Sequence, residues 1–358
     1  MYYSSEILFD FSRTFFEKIG CSNKDAAVIA DVFIAAELRG IGSHGLIRIS
    51  DHYELWKAGR LNTAPGMQIT RETVSTAVVE GDNAPGMLAA AFSMKTAINK
   101  AANAGTGWTA CRNSNHFGIA GYYAMMALEH DMIGICLTNA NPLVAPTFSI
   151  SRLLGTNPIA VAVPAGRYPP FVADFATTPI ARGKLEVAVK KGEKTLLGYV
   201  QDKDGNPSND PNILRKGGAM LPLGGDREHG SHKGYCLGAT VDIFSALLSG
   251  AGFGPFVPPS VAYLPLPKET NGKGTGHFFG AMRIDAFREA DEFRAAMDLW
   301  IETFRNAESA SGKPAVLIPG DIEREQEKIN RSRGIYLIPA VVDELNNIAG
   351  ELDMEMRL

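Results

Sequence analysis

The run Gly107-Trp-Thr-Ala-Cys111-Arg-Asn-Ser-Asn-His116-Phe-Gly118-Ile-Ala-Gly121 places a histidine between a strand pattern and a helix pattern. Trp108 to Cys111 is a short apolar run that reads as a buried strand. Arg112 to Asn115 breaks it with polar residues and delivers His116. After Gly118 the spacing turns helical, with Tyr122, Met125, Met126 and Leu128 on one apolar face. A strand-to-helix turn can hold a polar side chain rigidly over a cleft, and histidine carries protons near neutral pH. The alternative is a histidine hydrogen-bonded into a loop.

Upstream, residues 4 to 58 read as helices. Ser4 or Ser5 caps the first, whose Ile7, Leu8, Phe11, Phe15 and Ile19 recur at helical spacing until Gly20. Ser22 and Asp25 resemble a capping box before the stripe Val28, Ile29, Val32, Phe33 and Ala36. The pattern breaks at Gly40, Gly42 and Gly45, where Ser43 and His44 sit in a tight turn. If a helix starts there, His44 and Arg48 share one face. A histidine beside a guanidinium suits a carboxylate-bearing substrate, because arginine grips the carboxylate and histidine handles a proton. Alternatively, Ser43 caps the next helix and His44 is exposed. Tyr53 can line the same pocket; His52 is expected at the surface.

Downstream of a Pro/Gly segment at Thr63 to Gly66, a hairpin (67–72 and 74–80), an Ala-rich helix (86–104) and strands at 132–137, 159–163 and 171–174 follow. The strand ends carry Thr138-Asn139 and Asp174-Phe175-Ala176-Thr177, small polar clusters that bring backbone against a ligand or make ordinary turns. Asp174 can orient a histidine or position a sugar; it can also cap a helix. Residues 191 to 233 are loop-rich, and Gly217 to Gly234, with His229, Ser231, His232 and Lys233, suits a phosphate before the helix at 237–248. Two glycine clusters, Gly250 to Gly254 and Gly272 to Gly276, are not dinucleotide fingerprints, since no strand precedes them and no helix opens after them. A strand at 276–284, a helix at 289–305, a short strand at 316–319 and a charged helix from Asp321 complete the chain.

The 358 residues suggest two domains. A net charge of −4 argues against a general nucleic-acid partner. No apolar run approaches the roughly 18 residues of a membrane span, and no signal peptide precedes the first helix. Four scattered cysteines without CxxC spacing point to a reduced, cytoplasmic protein. No HExxH or related spacing supports a metal site, which disfavours a metal-dependent hydrolase or lyase. A binding protein that keeps the pocket without catalysis is a further alternative.

Taken together, Ser43-His-Gly45 with Arg48, Asn113-Ser-Asn-His-Phe-Gly118, Thr138-Asn139, Leu154-Gly-Thr-Asn-Pro158, Asp174-Phe-Ala-Thr177, Ala181-Arg-Gly-Lys184 and Ser231-His-Lys-Gly-Tyr235 closely resemble the malate/L-lactate dehydrogenase-like family of non-Rossmann oxidoreductases. The resemblance spans roughly Arg39 to Pro319. It implies an α+β (mixed α/β) fold, with a large, mainly antiparallel sheet flanked by helices as a non-Rossmann cofactor domain. That domain is expected over 67–309, with 191–233 as an inserted loop-rich region. A helical domain would form from both chain termini, 1–66 joined by 310–358, and the protein would be a homodimer.

The implied reaction is reversible hydride transfer between NAD, or NADP, and a small L-2-hydroxyacid such as malate or lactate. Reduction of a cyclic imino acid or of a sugar-derived 2-oxoacid is the alternative. His116 and His44 resemble the acid/base residues, Arg48 the carboxylate clamp and Ser43 its neighbour. Thr138, Asn139, Asp174, Phe175, Ala176, Thr177 and Lys233 resemble cofactor contacts. Gly320 lies in Pro319-Gly-Asp321, where the family usually reads Pro-Gly-Glu. Ala140 stands where some members carry a polar or basic residue, which argues against ureidoglycolate as substrate.

Overall fold

A computed structural model describes the backbone of residues 1–358 and the side chains of all but Lys190. The N-terminal segment is helical, as its apolar periodicity predicts. After a two-residue strand β1 (Tyr2–Tyr3), helix α1 (Ser5–Lys18) begins where the Ser4 side chain accepts the Ile7 N–H. It buries Leu8, Phe11, Phe15 and Phe16 on one face. Helix α2 (Asn23–Leu38) is capped by Ser22, which accepts the Asp25 N–H and donates to the Asp25 carboxylate at 2.6 Å. The next helix, α3 (Ile49–Lys57), starts later than the spacing of His44 and Arg48 suggests. Two 3₁₀ turns, Gly42–His44 and Leu46–Arg48, precede it.

Strands β2 (Gln68–Glu72) and β3 (Thr76–Glu80) form the expected hairpin. Helix α4 (Gly86–Ala104) ends at Gly105, whose φ of +82° suits glycine. Strand β4 (Thr106–Ser114) runs three residues past the apolar stretch and so incorporates Arg112 to Ser114. Then come α5 (Ala120–Met126), β5 (Met132–Thr138), β6 (Ile159–Val163) and β7 (Phe171–Phe175). Helix α6 (Arg182–Lys191) leads into the loop-rich region, which holds a small sheet of β8 (Val200–Gln201), β9 (Pro207–Ser208) and β10 (Ala219–Met220).

Helix α7 (Ser231–Asp242) starts six residues before the predicted helix and continues through a π-turn, Ile243–Leu247. Strand β11 (Thr275–Arg283), α8 (Ala290–Arg305), α9 (Asp321–Arg333), β12 (Ile335–Tyr336) and α10 (Pro339–Glu351) complete the chain. The short strand expected at 316–319 is not formed. Pro319 gives one carbonyl to the Val172 N–H and the segment continues into α9.

The main sheet has seven strands in the order β2-β3-β4-β11-β5-β6-β7. Only β3 and β4, joined across α4, run parallel; every other pairing is antiparallel. No Rossmann unit is present among the described residues, as the glycine spacing predicts. β1 pairs with β12, so the two chain ends meet and build the helical layer together. One apolar core runs without a break from α1, α2 and α10 through α4 to the sheet, joining Phe33, Met94 and Phe279. A second, smaller cluster, including Leu154, Leu185 and Val200, holds the loop-rich region.

Candidate active site

The two 3₁₀ turns before α3 owe their shape to a buried acid. Glu37, on the last turn of α2, accepts the Leu46 N–H at 2.8 Å. A Cβ on Gly45 would lie 2.1 Å from its carboxylate, so any other residue there would displace Glu37. The arginine then folds back over the turn: Arg48 Nε donates to the Ser43 carbonyl at 2.7 Å and Nη1 to Asp51 at 2.9 Å. Ser43 Oγ lies 2.9 Å from His44 Nδ1, so its hydroxyl orients the imidazole instead of capping a helix.

His116 reaches the same place from the sheet. Past the end of β4 the chain turns against the start of α4, where a Cβ on Gly86 would sit 2.1 Å from the Asn115 carbonyl. Asn115 donates to the Ala84 carbonyl at 2.9 Å, and the Phe117 carbonyl accepts the Tyr123 hydroxyl. Gly118, at φ +81°, packs on Val32 of α2. The result is a stack of imidazoles: the His44 and His116 rings lie 5.5 Å apart at 21°. The Gly118 N–H approaches His116 Nδ1 at 3.4 Å, too long to lock a tautomer.

His52 is not at the surface. It is 1% exposed, lies edge-on to Phe16 and Phe33, and sits 6.3 Å from the His116 ring. Its Nδ1 donates to the Arg48 carbonyl at 2.8 Å, and Nε2 has no partner among the described residues. The signal was its position four residues after Arg48, which puts it over the same turn. Tyr53 points the other way. Its hydroxyl donates to Glu351 and its ring packs on Trp56, so it contributes to the helical core and not to the cleft.

The cleft between these turns is also lined by Thr138, Asn139, Thr156 and, from the first turn of α6, Arg182. Gly183 brings that helix against Ser43, with 3.4 Å from a built Cβ to the Ser43 Cβ. Arg182 is held by Glu186 at 2.9 Å and the Tyr263 hydroxyl at 3.0 Å, leaving Nη1 without a partner among the described residues. Its motif was legible; its place in one cleft with Arg48 was not.

Of the remaining expected contacts, Thr138 and Asn139 line this cleft, whereas Asp174 to Thr177, Lys233 and Gly320 are not among its lining residues. Thr177 is pinned to the backbone of Thr156 and Asn157, one layer behind the wall, and its carbonyl accepts the Leu223 N–H. The Asn139 side chain is spent on Asp242, Gly252 and Gly276. Asp174, with exposed Phe175 and half-buried Ala176 after it, accepts the Gly121 N–H at 2.7 Å on the far side of β7. It does not reach the histidines. Gly320 caps α9 beside Val172. Lys233 is exposed on the first turn of α7 and makes no ion pair among the described residues.

Burial controls the charges. It depresses His44 to about 4, aided by Arg48. It pushes His116 well below the usual histidine range, with His44 and Arg48 adding to the effect, and it lowers His52 as well. His277, fully buried in β11, falls to about 3. Burial has the opposite sense on acids: Glu37 rises to about 7. Asp174 keeps open surface at the sheet edge, yet the protein crowding its carboxyl raises it to about 6.

These shifts set a stability profile. Unfolded histidines take up protons near pH 6.5, whereas His44, His52, His116 and His277 bind them less readily in the fold, so acid favours unfolding. Glu37 and Asp174 oppose this, because folded they keep two protons that the unfolded chain sheds above about pH 4. The four lowered histidines outweigh the two raised acids, so the unfolded chain binds more protons and stability should fall as pH drops from about 6 to 4.5. Urea midpoints across that range measure it. His52→Phe should make the fall shallower, and a flat profile would contradict the crowding of these groups.

Comparison with known proteins accords with this geometry. A family profile described as malate/L-lactate dehydrogenase matches residues 3–346. A malate dehydrogenase of Pyrococcus abyssi is 40% identical over 345 residues, covering 96% of this chain and 92% of that one. A malate/(S)-sulfolactate dehydrogenase of Methanothermus fervidus is 40% identical over 339 residues, covering 94% of each. The solved structure of malate dehydrogenase from Pyrococcus horikoshii superposes with a TM-score of 0.90 at 36% identity, covering 100% of this chain and 97% of that one. With an arginine turn and a histidine turn brought together beneath a mainly antiparallel sheet, the chain belongs to the malate/L-lactate dehydrogenase family.

Proposed function

We propose that this protein reversibly oxidises small L-2-hydroxyacids to 2-oxoacids with a nicotinamide cofactor, and that its preferred substrates carry a second anionic group, as malate does. The observation that carries the reading is the meeting of Arg48, His44 and His116 in one cleft from segments about 70 residues apart in sequence. Arg48 keeps Nη2 without a partner among the described residues, available for the substrate carboxylate. His116 takes the hydroxyl proton in oxidation and returns it in reduction. His44, held by Ser43, stacks on it and is the alternative carrier. Both imidazoles are neutral in the free protein and ready to act as bases. A bound carboxylate offsets the Arg48 charge and raises their proton affinity.

The bound nicotinamide would supply the hydride acceptor. Thr138 lines the cleft with the histidines and suits such a group, and Lys233, which makes no ion pair among the described residues and lies outside the cleft lining, stands on the first turn of a twelve-residue helix with the charge to meet a phosphate. We take the cofactor as NAD, with NADP the alternative, and the Asp174 to Thr177 segment and Gly320 as its flanking contacts. A homodimer agrees with the apolar residues left exposed along the π-turn that follows α7, where Ile243, Leu247 and Leu248 are each about half exposed. A cytoplasmic setting agrees with four free cysteines, and no helix among the described residues is long and apolar enough to cross a membrane.

Arg182 is the second cation of the cleft, and the malate and sulfolactate named for the relatives both have anionic tails. The test is a panel of oxaloacetate, sulfopyruvate, pyruvate and a cyclic imine, followed by nicotinamide absorbance with NADH and NADPH in parallel. The dianionic 2-oxoacids should lead. Arg182→Met should raise KM for them about ten- to a hundredfold and leave pyruvate unchanged, since one charged hydrogen bond is at stake. No turnover of any 2-oxoacid would sink the reading. Preference for the imine, or equal effects of Arg182→Met on all substrates, would redirect it.

A further inference from the structure

His277 takes no part in the proton transfer outlined above, yet it touches both walls of the cleft. Strand β11 lies between β4 and β5, which sets His277 opposite Cys111 on one side and Thr138 on the other. The side chain is fully buried. Its Nε2 is 2.7 Å from Ser114 Oγ and its Nδ1 is 2.7 Å from Thr138 Oγ1. Its ring lies flat on Phe117, with centroids 4.7 Å apart and planes 9° apart. Ser114 is two residues before His116, and Phe117 is the residue after it. One imidazole therefore grips the segment carrying His116 at both ends while it holds Thr138 across the sheet.

The hydrogen-bond inventory gives this bridge a direction. Thr138 Oγ1 is 3.0 Å from each of two carbonyls, those of Asn139 and Gly276. Its single proton goes to a carbonyl, so Nδ1 must be the donor to Thr138. Nε2 is then left to accept the Ser114 hydroxyl. An imidazolium would turn Ser114 into an acceptor and strand its proton in a buried site. The ring thus has one allowed state, neutral with hydrogen on Nδ1, while the catalytic histidines change theirs.

We propose that His277 is a positioning residue that fixes the distance between His116 and the Thr138 wall across three strands. The proposal rests on reading the cleft as a 2-hydroxyacid dehydrogenase site. Misplacement of a reacting group by about 1 Å can cost on the order of a hundredfold in rate, so such a brace has measurable consequences.

The test combines a ligand-free measurement with kinetics. In protein labelled with 15N-histidine, His277 should show one neutral tautomer, protonated on Nδ1, that does not titrate between about pH 5 and 8. Ser114→Ala, a small change that keeps the fold, should shift the His116 imidazole resonances. It should also lower kcat about tenfold or more, with KM for the nicotinamide within about twofold. His277→Phe keeps the stacking but loses both hydrogen bonds; it should lower kcat and raise that KM. His277→Asn, which can restore the donor to Thr138, should recover the KM but not kcat.

A titrating or Nε2-protonated His277, or His116 resonances unmoved by Ser114→Ala, overturns the proposal. So does a loss of melting temperature in these variants with kcat and both KM values unchanged. Absence of nicotinamide-dependent turnover in the unaltered protein would instead sink the dehydrogenase reading, and the resonance shifts still decide the role of His277.

Discussion

His116→Gln is expected to lower kcat for 2-hydroxyacid oxidation by about two to four powers of ten, the usual worth of a positioned acid/base group. Glutamine fills much of the same space and keeps a polar end, but it cannot accept and release a proton. KM for the hydroxyacid should move little, because Arg48 and Arg182 remain. The pH dependence provides a second check. His116 is neutral in the free protein because it is buried and faces His44 and Arg48. Oxidation needs that neutral form, so its kcat/KM should hold as pH falls past the ordinary histidine value. Reduction needs the proton, so its kcat/KM should fall as pH rises. His44→Gln should cost less, about tenfold, if its part is to stack on and polarise His116. The reverse order would make His44 the carrier. Turnover surviving both substitutions would remove the histidines from the chemistry.

Arg48→Ala should lower kcat/KM for the hydroxyacid about 10²- to 10³-fold, since it strips the partner from a largely desolvated carboxylate. Arg48→Lys is the sharper test. Lysine keeps the charge but loses the planar fork, and its single ammonium cannot reproduce the bonds to the Ser43 carbonyl and Asp51 together with a bound carboxylate. About ten- to a hundredfold of the loss should therefore persist, chiefly as KM for the hydroxyacid, with KM for the nicotinamide unchanged. Arg48 also braces the turn bearing His44, so melting temperatures must be compared. An Arg48→Lys protein with an unaltered substrate KM would show that the carboxylate is held elsewhere.

Much of this site was legible because short motifs carry their own geometry. Asn113 to Gly118 encodes a strand end, a turn and a histidine, and the structure has all three. The fold class was implied by motifs resembling one family; the periodicity of α1, α2 and α4 was compatible with it but did not establish it. What failed was local extrapolation. A helix through His44 and Arg48 was a fair inference from spacing, but the buried Glu37 carboxylate takes the Leu46 N–H and winds two 3₁₀ turns instead. His52 and Tyr53 are neighbours on α3 and so diverge by about 100°. Which one faces the cleft depends on how α3 is rotated against α1 and α2, and no local pattern reports that rotation.

By itself, the amino-acid sequence determined which residue types are available and how each is presented: hydroxyl, imidazole and guanidinium on turns that glycine permits. It also determined the alternation and helical stripes that commit each segment to its element. Only the tertiary structure decided which of those groups meet. Arg182 faces the cleft because Gly183 lets α6 close on Ser43, and His277 spans the cleft walls because β11 pairs between β4 and β5. Both depend on contacts between residues over a hundred positions apart, where the energy comes from burial and hydrogen bonding across elements and leaves no trace in local spacing.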